Sequence, residues 1–217
     1  MESFAVLQIR RKVRSYWVED GLPDIGTGVG FLGLAVLSWA KGSATGSTEV
    51  LLKYIQVVAI LAFVFLTRSM VQTLKWKMTY PRTGYASYAR VSGRKSTLWV
   101  VGAAAVAGGS LLVLVTAVER SPGRAYVVGL SAGMGATFLL VSIHQGWRRG
   151  FAYAAVALLA APIAVHLGTI PPWSDFVTEG GVHFALVGMA QIMGGSLALR
   201  RYLRKYPVPI PAGEETL

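Results

Sequence analysis

The stretch AYVVGLSAGMGATFLLVSI, residues Ala125–Ile143, has no charged side chain and decides the class of fold. A helix needs about 20 consecutive apolar residues to cross the hydrocarbon core of a bilayer. The preceding stretch TLWVVGAAAVAGGSLLVLVTAV, residues Thr97–Val118, meets the same criterion and is also uncharged. These two segments therefore predict a pair of transmembrane helices that follow each other along the chain.

The composition of the whole chain supports this interpretation. Of the 217 residues, 53% are hydrophobic and only 14% are charged, and the mean hydropathy is +0.52. Soluble domains are usually about one-quarter charged, so this chain has too few charged residues to form the surface of a water-soluble protein. A polytopic membrane protein remains, and soluble enzymes, disordered chains and collagen-like fibres are excluded. The sequence also lacks cysteine, which excludes disulfides, thiolate nucleophiles and cysteine metal sites.

Six apolar segments predict an all-α transmembrane bundle. The first is short, and the sequence leaves open whether it crosses the whole bilayer. Three domains are expected: an amphipathic interfacial helix at 1–20, a six-helix transmembrane domain at 21–199 with a cytoplasmic loop at 75–96, and a basic cytoplasmic tail at 200–217. The predicted spans are Ile25–Ala40, Leu51–Leu74, Thr97–Val118, Ala125–Ile143, Phe151–Leu167 and Val182–Leu199.

The distribution of lysine and arginine predicts the orientation of the bundle. Four of these residues precede the first span, seven lie at the connection between the second and third, two lie between the fourth and fifth, and four follow the sixth. Together they are 17 of the 21 in the chain. Because cytoplasmic loops carry the excess of positive charge, both termini are expected in the cytoplasm. All six tryptophans fall at or just beyond a span end, as in an aromatic belt.

Two basic segments are expected to contact anionic lipid headgroups or a protein partner. The first is the amphipathic segment Phe4–Val18, which predicts a helix on the membrane surface, or alternatively a lid packed beneath the bundle. The second is the loop at 75–96, where tyrosines alternate with cations. The predicted contact residues are Arg10, Arg11, Arg14, Tyr80, Arg82, Tyr85, Arg90 and Arg94.

The hexapeptide YPRTGY, residues Tyr80–Tyr85, resembles a stretch of small, uncharacterised bacterial polytopic membrane proteins. The segment Tyr16–Gly21, just before the first span, is similar to the corresponding segment of those proteins. The resemblance implies a bacterial inner-membrane setting. It implies no activity and transfers no functional residue to this chain.

Small residues one helical turn apart predict close helix packing. Gly26 and Gly30 form one such pair and Gly129 and Gly133 another. Small side chains let helix backbones approach where lipid supplies no hydrophobic driving force between helices. We expect contacts within one bundle, with oligomerisation as the alternative.

Ionisable residues inside membrane spans usually mark functional sites, and this sequence has few. Asp24 is expected in the first turn of the first span, at the membrane edge. The scarcity of buried acids argues against a pump or a coupled transporter. Gln56 and Gln191 are the main polar side chains within spans, and we expect each to bond to a neighbouring helix.

One set of potential metal ligands surrounds the connection between the fifth and sixth spans. Two histidines and two carboxylates there could bind a divalent ion, although an ordinary interfacial turn explains the same stretch. The residues are His166, Asp175, Glu179 and His183.

The sequence therefore favours a non-enzymatic role. It contains no nucleotide-binding loop, zinc-protease motif or serine nucleophile motif, and no cofactor or nucleic-acid partner is expected. The leading hypothesis is a structural or accessory subunit of the inner membrane, which forms homo-oligomers or joins a larger membrane complex. A small transporter or channel is the alternative, and a lipid-modifying enzyme is the third possibility.

Overall fold

The computed structural model describes residues 18–83, 122–170 and 180–207, and every regular element in these ranges is helical. The helix Ser47–Leu74 continues through one π-helical turn, Lys75–Thr79, into the short helix Tyr80–Thr83. The all-α prediction is confirmed for this part of the chain. The helices are α1 (Leu22–Gly42), α2 (Ser47–Leu74), α3 (Tyr80–Thr83), α4 (Pro122–Gln145), α5 (Arg148–Leu167) and α6 (Gly181–Lys205).

Four of these helices, α1, α4, α5 and α6, are long and apolar enough to cross a membrane. Helix α2 and its continuation form a fifth candidate if they are one span, bent by 42° between Ile60 and Phe65. The first predicted span, which was the shortest by sequence, is a helix of 21 residues. The predicted span Thr97–Val118 lies outside the described residues, as does the N-terminal interfacial helix up to Trp17.

Helix α1 begins where the sequence places turn-forming residues. Gly21 adopts a left-handed conformation with φ of 74°, which costs glycine little. The side chain of Asp20 accepts a hydrogen bond from the backbone N–H of Leu22 at 3.2 Å. Pro23 lies in the first turn, where its missing N–H has no cost. Asp24 follows in the same turn, as the sequence predicted.

The long helices run antiparallel to their neighbours and pack in the order α2, α1, α6, α5, α4. The contact between α1 and α6 is the most extensive, and that between α4 and α5 is next. In α1 and α6, Gly28 faces Gly188 while Gly21 faces Gly195. A Cβ atom added to Gly188 would lie 2.9 Å from the carbonyl oxygen of Gly28, so these backbones are nearly in contact.

Phenylalanine rings fill the middle of the bundle. Phe31 of α1 stacks on Phe184 of α6, with ring centroids 6.1 Å apart and planes at 12°. It also contacts Phe63 of α2 and Phe138 of α4, at centroid distances of 6.0 and 6.5 Å. Phe31 therefore connects four helices through apolar contacts.

Two helices extend beyond the spans that the sequence predicted. Helix α6 runs to Lys205, six residues past the predicted span end at Leu199. The first part of the predicted loop 75–96 is helical through Thr83. Of the predicted tryptophan belt, Trp39 and Trp76 are exposed. Trp147 is instead buried and packs on Phe138 and Tyr153, because the short α4–α5 turn folds it inward.

Candidate functional site: a buried charge cluster at one end of the bundle

Six polar residues from three segments meet at one end of the bundle. Two come from the segment that enters α1 and from its first turn, two from the π-helical turn after α2, and two from the first turns of α5. We call this set the charge cluster: Asp20, Asp24, Lys75, Thr79, Arg149 and Tyr153. Because α2 ends where α1 and α5 begin, antiparallel packing alone brings these segments together.

The first half of the charge cluster is built around Asp20. Its Oδ2 atom lies 2.6 Å from Nζ of Lys75, and both side chains are 1% exposed. The hydroxyl of Thr79 donates to the same oxygen at 3.2 Å. Lys75 and Thr79 are four residues apart, so one face of the π-helical turn supplies both donors. The ion pair therefore ties the end of α2 to the segment that enters α1.

The second half of the charge cluster is built around Asp24. Its Oδ2 atom accepts a hydrogen bond from Nε of Arg149 at 2.8 Å and from the hydroxyl of Tyr153 at 3.1 Å. Arg149 also donates through Nη2 to the carbonyl oxygen of Val18. The remaining oxygen of Asp24, Oδ1, is buried without a hydrogen-bond partner. This half of the cluster ties the start of α5 to the start of α1.

Further polar contacts place the ends of the other segments beside the charge cluster. Nζ of Lys205, at the end of α6, lies 3.4 Å from Oε1 of Glu19. Arg82 of α3 donates to the carbonyl oxygen of Tyr206 at 3.0 Å. We call this the basic end, the end at which Glu19, Lys75, Arg82, Arg149 and Lys205 lie. The distribution of charge predicts that Lys75, Arg82, Arg149 and Lys205 lie on one side of the membrane. In the structure they lie at the same end of the bundle.

The opposite end of the bundle is where Lys41, Gln56, Val127 and Val182 lie. There Nζ of Lys41 donates to Oε1 of Gln56 at 2.8 Å, so Gln56 bonds across helices as the sequence predicted. Val127 of α4, Ala164 of α5 and Val182 of α6 pack together. Among the described residues, this end therefore combines a polar contact between α1 and α2 with an apolar contact among α4, α5 and α6.

Helix α6 carries two more buried polar side chains, His183 near the opposite end and Gln191 near the middle of the helix. His183 hydrogen-bonds to the hydroxyl of Ser131 through Nε2, and its Nδ1 has no partner. Gln191 is buried, and its Oε1 has no hydrogen-bond partner. The prediction that Gln191 bonds to a neighbouring helix stays a prediction. Gly188 and Gly195 keep the α1 backbone close on this side of α6 and leave little room for polar side chains opposite.

The predicted metal ligands are only partly described. His166 is exposed at the end of α5, whereas His183 is fully buried and uses Nε2 to bond Ser131. Asp175 and Glu179 lie outside the described residues, so the four-residue set stays a prediction. In residues 18–83, 122–170 and 180–207, no group of three potential metal ligands comes together.

Two of the predicted lipid or partner contacts are described. Tyr80 packs edge-to-face on Trp76, with centroids 5.1 Å apart, and Arg82 bonds to the backbone after α6. Both are thus held by this chain's own residues. The others lie outside the described residues: Arg10, Arg11, Arg14, Tyr85, Arg90 and Arg94.

The predicted packing glycines are all at helix contacts or buried positions. A Cβ atom on Gly26 would lie 2.9 Å from Cγ2 of Val71, and one on Gly30 would overlap the ring of Phe63. This pair therefore packs α1 on α2 within the chain. Gly129 and Gly133 are buried in α4.

Sequence reasoning missed the charge cluster. It placed Asp24 at the membrane edge and found few buried acids, yet Asp20 and Asp24 are 0% and 1% exposed. The signal was present, because two aspartates four residues apart precede the first span and their partners lie on the same predicted side. A hydropathy profile treats such residues as loop, since it cannot show that helix ends bury them together.

Comparison of the chain with known protein families, with curated proteins and with solved structures gave no match. The role of the charge cluster is therefore inferred from its geometry. Its two carboxylates each bind one cation and one hydroxyl donor within the protein. Removing one member of a buried ion pair is strongly destabilising, so this arrangement is suited to holding helix ends together.

Proposed function

We propose that the chain is a six-span protein of the bacterial inner membrane with both termini in the cytoplasm. The predicted span Thr97–Val118 brings the total to six. The positions at which the described segments on either side of it end support this span. Thr83 follows Arg82 at the basic end, whereas α4, which begins at Pro122, packs its first turns near Gly180 at the opposite end. The described segments on either side of the predicted span Thr97–Val118 therefore finish at opposite ends of the bundle, which supports the proposal of a span between them.

Reporter fusions test this topology. A reporter fused after Leu217 is expected to be active in the cytoplasm, because the basic end carries the excess of cations that cytoplasmic segments carry. Reporters inserted at Ala44 or Gly180 are expected to be periplasmic. The six-span orientation is wrong if the Leu217 fusion is periplasmic, or if the fusions at Ala44 and Gly180 fall on different sides.

We further propose that the protein acts as a structural or accessory subunit, either self-assembling or joined to a larger membrane complex. The supporting observation is that its buried charges pair with one another between helices. Buried ionisable groups in membranes are expensive and usually serve function. Here Asp20 pairs with Lys75, and Asp24 pairs with Arg149. The charges that cost most to bury are therefore used to connect α1, α2 and α5.

The surface of α2 is suited to a lateral partner. Helix α2 packs mainly on α1, and several large apolar side chains on it are exposed: Tyr54, Val58, Phe65 and Leu66. At the basic end, Arg148, Arg200 and Arg204 are also exposed. The cationic end fits a second membrane protein whose cytoplasmic edge is acidic, and the apolar face of α2 fits either lipid or a helix of that partner.

Native mass spectrometry of the protein, gently extracted from its own membrane, tests this role. A self-assembling subunit is expected as a multiple of 23.2 kDa, and an accessory subunit together with a second polypeptide. Chemical cross-linking in intact cells before extraction is the control for loss during extraction. A monomer mass in both experiments would contradict the proposal.

A small transporter is the second candidate, and one observation favours it. Three buried polar atoms without hydrogen-bond partners lie along α1 and α6: Asp24 Oδ1, Gln191 Oε1 and His183 Nδ1. Buried polar groups normally bind protein or ordered water, so these atoms could line a hydrated path. Proton flux into liposomes that disappears in Gln191→Leu, while that variant stays folded, would favour transport over the accessory role.

A further inference from the structure

A groove of about 390 Å³ opens beside the charge cluster, between the start of α5 and the end of α6. Three cations line it: Arg149, Arg201 and Lys205. Its one acidic side chain is Glu19, which pairs with Lys205, and Asp24 pairs with Arg149 beside the lining. The charge of Arg201 is therefore the one positive charge in the lining that neither of these carboxylates offsets. The groove therefore favours an anion.

The donors in the groove differ in how firmly they are held. Arg149 is fixed by its bonds to Asp24 and to the Val18 carbonyl. These bonds use two of the five N–H donors of its guanidinium, so others remain. Arg201 is exposed. Lys205 pairs with Glu19 at 3.4 Å, with the two side chains 64% and 42% exposed, and exposed pairs of this kind contribute little. An incoming anion thus meets one preorganised donor and two adaptable ones.

The spacing along α6 gives the groove an apolar side as well. Leu197, Arg201 and Lys205 follow one another at four-residue intervals and therefore share one face of the helix. Leu197 is 55% exposed and lies farther from the basic end of α6 than the two cations. A molecule in the groove would place an anionic group among the cations and an apolar part along Leu197.

We propose that this groove binds a phosphate group, with Arg149, Arg201 and Lys205 as donors. Arginine presents N–H groups in a fork that matches phosphate oxygens. The phosphate of an anionic phospholipid fits this chemistry, and so does a free phosphate ion. The proposal deepens the proposed function, because a lipid bound here would lie at the cytoplasmic surface of the subunit.

Arg201→Gln and Arg200→Gln form a matched pair for the test. Both arginines are exposed neighbours on α6, and both variants lower the net charge by one, but only Arg201 lines the groove. Binding is measured by native mass spectrometry and by thermal shift on the full chain. The probes are phosphatidylglycerol, phosphatidylcholine as the zwitterionic lipid, and inorganic phosphate in detergent.

The wild-type protein is expected to bind phosphatidylglycerol in preference to phosphatidylcholine. Arg201→Gln is expected to weaken binding roughly tenfold, because a hydrogen bond to a charged group is lost, while Arg200→Gln leaves it unchanged. If inorganic phosphate binds and phosphatidylglycerol does not, the ligand is a soluble phosphate and the site stands. Equal losses in the two variants, or no binding of either anionic probe, would overturn the proposal.

The phosphate-binding proposal and the accessory role are tested by separate measurements. Assembly of Arg201→Gln, measured as its native mass, is expected to equal that of the wild-type protein. A variant that assembles but binds no phosphate group would overturn neither claim and would confirm both the site and its independence from assembly. A wild-type protein that assembles but binds no anionic probe would overturn the site alone.

Discussion

Replacing Lys75 with methionine is expected to lower the free energy of unfolding by about 3–5 kcal/mol, the usual cost of breaking a buried ion pair by removing one partner. The substitution keeps an unbranched side chain of similar length but removes the cation that lies 2.6 Å from Asp20. The carboxylate of Asp20 then stays buried with only hydrogen bonds from neutral donors. Unfolding by SDS titration in mixed micelles measures the change.

Two further variants distinguish the loss of the ion pair from other effects of replacing a lysine with methionine. Lys77→Met removes an exposed lysine from the same π-helical turn and is expected to change stability by less than about 0.5 kcal/mol. The double variant Asp20→Asn/Lys75→Met removes both charges and is expected to recover most of the loss, because neutral replacements of buried pairs are often tolerated. A double variant as unstable as Lys75→Met would contradict a pairing role.

Gly188→Ala is expected to destabilise the bundle by about 1–3 kcal/mol, the usual cost of overpacking a well-packed site. The added Cβ atom would lie 2.9 Å from the carbonyl oxygen of Gly28 and 3.1 Å from the backbone nitrogen of Leu32. Backbone atoms cannot rotate away as a flexible side chain can. Helices α1 and α6 would therefore have to separate along their most extensive contact.

Gly33→Ala is the matched control for this substitution. Gly33 also lies within a helix, α1, but the Cβ atom that alanine would add meets no side chain or neighbouring helix within 4 Å. Alanine costs less conformational entropy than glycine in a helix, so this variant is expected to be as stable as the wild-type protein or slightly more stable. Equal destabilisation by both substitutions would show that the α1–α6 contact is not closely packed.

The sequence predicted the elements of the fold better than it predicted their contacts. Hydropathy located the five long helices that lie in residues 18–83, 122–170 and 180–207, and Asp24 lies in the first turn of α1, as predicted. The asymmetry of charge grouped Lys75, Arg149 and Lys205 on one side, and contacts at the basic end bring them together. These features are local or statistical properties of the chain, so a single sequence is enough to read them.

The charge cluster could not be predicted in the same way. Whether Asp20 is buried depends on the position of Lys75, 55 residues away, and that position depends on how α1 and α2 cross. The same holds for the glycines. The spacing of Gly26 and Gly30 predicted close packing, whereas the backbone-to-backbone approach of Gly28 to Gly188 follows from a crossing that no short motif encodes.

We propose that the buried charges serve only to hold the helix ends together and that the protein works through assembly. The most direct test is the native mass of Asp20→Asn/Lys75→Met, taken from its own membrane beside the wild-type protein. We predict the same assembly, since neutral side chains should replace the pair once the helices are packed. A double variant that stays folded as a monomer but loses its partners would contradict this claim and show that the charges themselves act in the protein's function.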